Sequence, residues 1–361
     1  MDMGNIFASR TGIIIVGFAI GIMATLLQYF GNPPNMGICV ACFERDIAGA
    51  LGFHRAAVVQ YIRPEIIGFV LGGFIISLLV GEHRPRGGSS PLIRFFFGIF
   101  AMIGALVFLG CPWRALLRLA GGDLNAILGL AGLATGIFGG VLFLKNGYSL
   151  GRSRPQKPWS GYIFPAFMLG LFLLLLFRVS FSQGGPIFFS ASGPGALHAS
   201  VWLSLAAGLI IGVIAQRSRF CTMGAFRDVM LIRDFHLISG VVALLVAAFA
   251  MNLILGQFKM GFEGQPIAHT NHLWNFLGMS LAGLAFTLAG GCPGRQLFLS
   301  GEGDLDAGIF ALGMIFGAGF SHNFAMASSP KGVAAFGPAG VIVGLIFCLV
   351  IGFIMSEKSK A

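Results

Sequence analysis

Ten apolar windows recur along the chain, over residues 11–30, 64–81, 93–110, 124–144, 161–180, 201–216, 237–256, 273–290, 305–320 and 334–355, with short polar connections between them. A helix needs about 20 apolar residues to cross bilayer hydrocarbon. The spacing therefore predicts about ten crossings, within a range of nine to eleven, because several windows are short or broken by glycine. Glycine-rich stretches near the cysteines are candidates for short re-entrant helices rather than full spans. Composition leads to the same class: a chain that is 56% hydrophobic and 10% charged, with a mean hydropathy of +0.88, cannot cover a water-soluble globule with polar surface. The expected fold is an all-α polytopic membrane protein. Arg10 precedes a first apolar run that is long for a signal-peptide core and has no small-residue cleavage site, so it is read as a retained span.

The chain is also a duplication. Gly110-Cys111-Pro112-Trp113-Arg114 is matched by Gly291-Cys292-Pro293-Gly294-Arg295, and the same offset of 181 carries Asp304 and Leu305 onto Asp123 and Leu124. A second set supports it: Cys221, Arg227 and Asp228 fall on Cys39, Arg45 and Asp46 at an offset of 182. Each of these sets follows an apolar stretch with a Gly-x-x-x-Gly, at Gly17 and Gly21 and at Gly208 and Gly212. Each half thus carries two cysteine loops. The division expected is a first repeat over 1–144, a linker with a connector span and an outer loop over 145–200, a second repeat over 201–320, and a C-terminal span and tail over 321–361. Four spans plus a connector near 161–180 separate matching elements by an odd number of crossings, so the second repeat is expected to be inverted.

The basic residues test this topology, because Lys and Arg accumulate in short cytoplasmic loops. With the N-terminus inside, 15 of the 23 basic residues fall on the inner side and eight on the outer: Arg45, Arg55, Arg63, Arg114, Arg118, Arg178, Lys259 and Lys331. The expected orientation places both termini in the cytoplasm. The net charge of +10 is then a consequence of topology beside anionic lipid, and no basic stripe interleaved with stacking aromatics points to nucleic acid. The polar stretch 145–161 would be a cytoplasmic hinge and 182–200 an outer loop.

Gly-Cys-Pro-x-Arg at the end of an apolar span has a physical reading. Glycine permits a sharp turn, and proline suits the first position of a new helix, where its missing N–H costs nothing. Cysteine is then left at a helix N-terminus, where free amides and the dipole favour an anion, and Arg114 or Arg295 adds charge. A soft, sulfur-bearing anion suits such a place. A single copy would equally be a tight turn with a small buried thiol; recurrence with Arg in register favours the functional reading. Asp123 and Asp304 are expected to cap the following helices. Arg45 with Asp46, and Arg227 with Asp228, are expected to neutralise one another. Cys39 and Cys42 form a Cys-x-x-Cys, a redox or metal pattern, but Gly224 stands opposite Cys42 in the second half, so the pair is not duplicated. Cys348 reads as packing. The histidines show no metal-ligand spacing, and no cofactor is expected.

Phe43-Glu44-Arg45-Asp46 after Cys39, the run from Arg219 to Asp228 around Cys221, and the two Gly-Cys-Pro loops together resemble the YeeE/YedE family of bacterial inner-membrane sulfur transporters. The likeness covers nearly the whole chain, and residues 32–46 are most similar to the selenium-associated YedE branch. The resemblance implies an hourglass-shaped helical protein, not an enzyme, whose loops dip to the centre from both faces. It also implies a thiosulfate-like or selenium-containing anion passed along Cys39, Cys111 and Cys292, with Cys221 a further loop cysteine. The surrounding Gly110, Pro112, Arg114, Gly291, Pro293, Arg295, Arg45 and Arg227 would support that pathway. A cytosolic sulfur- or selenium-carrier protein of the TusA-like kind is the implied partner. The competing reading is a membrane-embedded thiol oxidoreductase or sulfurtransferase using Cys39 and Cys42.

Overall fold

In a computed structural model, residues 6–179 and 187–356 are described. The beginning of the expected outer loop from residue 182, and Lys358 and Lys360 of the inner basic set, lie outside them. The chain is mostly helical, with almost no sheet among the described residues. The first half contains α1 (Arg10–Tyr29), α2 (Val40–Ala50), α3 (Pro64–Leu79), α4 (Pro91–Phe108), α5 (Pro112–Ala120) and α6 (Asn125–Lys145). A connecting helix α7 (Ile163–Leu176) follows a short 3-10 turn. The second half contains α8 (Val201–Ser218), α9 (Thr222–Ile232), α10 (His236–Ile254), α11 (His272–Ala289), α12 (Pro293–Gly301) and α13 (Leu305–Asn323), and α14 (Gly337–Ile354) closes the chain.

Among the described residues nine helical segments are long and apolar enough to cross a membrane, and α3 is equally apolar but has 16 residues. Every one of the ten apolar windows therefore lies on a helix. The protein is an all-α polytopic membrane protein.

Four helices are of another kind. α2, α5, α9 and α12 have 11, 9, 11 and 9 residues, roughly 14 to 17 Å at 1.5 Å per residue, about half a bilayer core. Most side chains of α2, α5 and α12 are nevertheless buried, as is the first turn of α9. Backbone that stops inside a membrane is tolerated only where protein surrounds it, and here the longer helices do.

The halves interlock by exchange. α1 packs on α10 and α3 on α8; α6 packs on α11 and α4 on α13; α4 and α11 meet each other. If α1, α3, α4 and α6 are matched in order with α8, α10, α11 and α13, each inter-half contact has its counterpart, as a pseudo-two-fold interface requires. Small residues make the approach possible. A Cβ on Gly17 would sit 2.0 Å from the Gly240 carbonyl oxygen, and one on Gly208 2.6 Å from that of Glu65. These glycines belong to the two Gly-x-x-x-Gly motifs.

Segment 145–161 is tied down rather than free. β1 (Arg86–Gly87) pairs antiparallel with β2 (Arg154–Pro155), and the Ser89 hydroxyl donates to the Leu150 and Gly151 carbonyls. The charge tally also needs correction. Arg45, Arg63, Arg114 and Arg118 are buried, because they sit on or beside the short helices inside the protein. They are not loop charges, which leaves Arg55, Arg178, Lys259 and Lys331 as exposed basic residues of that set.

Candidate functional site

Each short helix begins at a cysteine. Cys39, Cys111, Cys221 and Cys292 are the N-caps of α2, α5, α9 and α12. Pro112 and Pro293 occupy the first turn behind Cys111 and Cys292, where no N–H is needed. Cys39 and Cys221 cap with their own sulfur, accepting from the Cys42 amide at 3.4 Å and the Gly224 amide at 3.2 Å. Two short helices from the same half then meet N-terminus to N-terminus. The Cys39 and Cys111 sulfurs lie 3.7 Å apart, and those of Cys221 and Cys292 3.5 Å apart. This pairing was not read from the sequence. Its signal was the near-equal spacing within each half, from Cys39 to Cys111 and from Cys221 to Cys292.

The first thiol pair lies beside a cation with no acid opposite it. Arg114 is fully buried. Its guanidinium donates to the carbonyls of Asn35 at 3.2 Å, Ile267 at 3.0 Å and Leu109, and to the Cys42 sulfur at 3.4 Å. Among the described residues no carboxylate pairs with it. Gly110 is what lets this side chain fold back, since a Cβ there would lie 2.8 Å from Arg114 Cδ. In the second half Arg295 reaches Glu302 at 3.4 Å. At the offset of 181 the residue corresponding to Glu302 is Gly121, whose Cβ would collide with the Asn35 side chain at 2.2 Å. The neutralising acid is therefore missing from the first half alone.

Several other charged groups are paired, whereas the buried Glu44 carboxylate has no partner among the described residues. Asp46 is held by Arg45 and Arg63, each at 2.7 Å, and Arg63 also donates to the Leu197 and Pro194 carbonyls. Arg118 pairs with Asp123 at 2.6 Å. Arg227 and Asp228 pair at 2.7 Å. Asp304 caps α13 through the Ala307 amide at 3.0 Å. Asp123 departs from the capping expectation: Leu124 is the N-cap of α6, and the Asp123 carboxylate divides itself between the Asn125 amide and Arg118. Arg63 and Arg118 have apolar counterparts in the other repeat, so the duplication could not reveal them.

The two pairs differ in access. Cys39, Cys42 and Cys111 are at most 1% exposed. Cys221 forms part of the wall of an open cavity of about 590 Å³ together with Arg217, Arg219, Arg227 and Arg295. Arg217 bonds Glu82 at 2.8 Å. Burial alone would raise the Glu82 carboxyl, but hydrogen bonds from Arg217 and Gln216 hold it below the usual carboxylate range. Arg219, directly before Phe220 and Cys221, is exposed and takes a left-handed conformation with φ 54, where glycine is usual.

The pairs also face opposite ends of the bundle. His236, at the start of α10, forms part of the cavity wall, and α10 runs roughly 28 Å to the connection 255–271. That distant connection supplies the Ile267 carbonyl to Arg114. α1 likewise runs from beside Ala8 at the cavity to the loop leading into Cys39.

These features define a class: a polytopic helical membrane protein with two buried thiol pairs, each built from helix N-termini and flanked by arginine. Residues 217–352 match the family model described as sulphur transport. The thiosulfate transporter TsuA of Spirochaeta thermophila is 34% identical over 113 residues, covering 31% of this chain and 33% of that protein. The Escherichia coli thiosulfate transporter TsuA is 29% identical over 100 residues, 27% of this chain and 28% of its own. An uncharacterized protein of Methanocaldococcus jannaschii, MJ1590, is 28% identical over 96 residues, 24% of this chain and 90% of its own length. The match thus spans a third or less of either TsuA protein. Together with the motifs, these likenesses support the YeeE/YedE sulfur-transport family.

Proposed function

We propose that the protein takes up a small, soft sulfur-containing anion through a bacterial inner membrane, handing it from Cys39 and Cys111 to Cys221 and Cys292. Both termini are placed in the cytoplasm, which puts the first pair on the periplasmic side of an inverted repeat and the second on the cytoplasmic side. The observation that carries this reading is Arg114, a buried guanidinium without a carboxylate, beside three thiols at two helix N-termini. An unpaired buried charge is costly, and an anion at the thiols would offset that cost. A fixed cage of several cations would hold a divalent anion too long for passage, whereas weak sites in series release it. Thiols are such weak donors. The wide arginine-lined cavity beyond Cys221 would then receive the anion.

Thiosulfate is the favoured cargo, since it is what the named relatives carry; selenite or another selenium anion shares its softness. A TusA-like sulfur carrier is the partner expected at the arginine-rich mouth. The thiol-oxidoreductase reading is weaker. Cys39 and Cys42 are both wholly buried, and Gly224 stands opposite Cys42 in the second half.

Proteoliposomes test the proposal. Labelled thiosulfate should accumulate chemically unchanged, compete with selenite more strongly than with sulfate, and fail to enter when Cys111→Ala or Cys292→Ala replaces the wild type. Wild-type uptake by both variants, or conversion of thiosulfate by the detergent-solubilised protein, would overturn it.

A further inference from the structure

Between the two thiol pairs stands one residue that the duplication does not repeat. Trp113 follows Cys111 by two positions, and its counterpart after Cys292 is Gly294. The indole is 1% exposed. It packs directly over Gly294, where a Cβ would lie 3.0 Å from Trp113 Cζ2. Its ring centroid is 5.8 Å from Phe69, 6.0 Å from Phe220 and 6.1 Å from Phe298. Phe220 immediately precedes Cys221, and Phe298 belongs to α12, the helix that Cys292 caps. A single side chain from the first pair's helix therefore touches the segments that carry both cysteines of the second pair.

The indole N–H has no hydrogen-bond partner. A buried donor left unpaired is destabilising and is uncommon in folded proteins. Phe69, Phe220 and Phe298 offer it no acceptor. The enclosure is apolar, so an anion that has shed water there would depend on the indole N–H as its donor.

We propose that Trp113 is the constriction through which the anion passes from one thiol pair to the other, its N–H donating to the cargo midway and its bulk excluding strongly hydrated anions. Gly294 leaves the slot into which the ring fits. The proposal rests on the transport reading and adds the residue that sets selectivity: thiosulfate, more polarisable and less strongly hydrated than sulfate, passes, while sulfate of the same charge does not.

The experiment compares labelled thiosulfate and labelled sulfate flux in proteoliposomes, with detergent melting curves as the check on folding. Trp113→Phe keeps the ring and removes the N–H; thiosulfate flux should fall about tenfold, the order expected for one lost hydrogen bond, with sulfate still excluded. Trp113→Ala opens the passage, so the preference for thiosulfate over sulfate should collapse. Gly294→Ala presses a methyl group against the indole and should slow thiosulfate without admitting sulfate. Should Trp113→Ala not fold, the Phe and Gly294 variants decide. Wild-type flux in Trp113→Phe together with undiminished thiosulfate flux in Gly294→Ala would overturn the assignment. A wild-type protein that takes up no thiosulfate would instead sink the transport reading itself.

Discussion

Arg114 and Cys42 show how two neighbouring side chains in one cluster can be separated by experiment. If the buried guanidinium is the charge that receives the cargo, thiosulfate at about a hundredfold over its dissociation constant should stabilise the wild type by about 2.7 kcal/mol. A thermal-shift titration should find that increment absent in Arg114→Gln. Cys42→Ala should keep most of both uptake and the thermal shift, because the second half works with Gly224 at the same place. An equal loss in both variants would make Cys42 part of the pathway. Sequence reasoning reached Arg114 through its duplicated motif but could not see that its carboxylate had been lost. That requires knowing that Arg295 turns to Glu302 and that Gly121 faces Asn35.

At the level of elements, two of the four short helices, α5 and α12, were legible in outline because Gly-Cys-Pro specifies a turn, a cap and a helix start within three residues, whereas α2 and α9 carry no such signal. The assembly of the four into pairs was not legible, since nothing local records that Cys39 meets Cys111. The glycine stripes were visible as motifs, and their partners emerged only when α1 was found on α10 and α8 on α3. Those contacts predict a specific sensitivity. Gly208→Val places a branched side chain against the Glu65 backbone and should lower stability by about 1–3 kcal/mol as an overpacking change, read as an earlier melting transition in detergent. Gly170→Val should have little effect, because a Cβ there meets nothing within 4 Å. Equal melting of the two variants would count against close α3–α8 packing.

For the whole molecule, the difference in access between the thiol pairs makes a conformational prediction. Cys221 lies on an open cavity while Cys39 and Cys111 are enclosed. A membrane-impermeant maleimide should therefore label Cys221 in inside-out vesicles and not in right-side-out ones, with Cys111 protected in both until the pathway opens. Labelling of positions 111 and 221 from the same face would contradict the inverted arrangement.

What the sequence determined on its own was the solvent and the equipment: apolar periodicity requires a bilayer, and motifs that recur at a fixed offset mark the cysteines whatever the fold. Both are local properties of the chain, readable within a span or a turn. Only the tertiary structure decided which sulfurs are neighbours, which arginine lacks a counter-charge and that Trp113 stands between the pairs. Those facts arise because long helices from both halves pack across one another around the short segments, and packing across such distances leaves no trace in a window of residues.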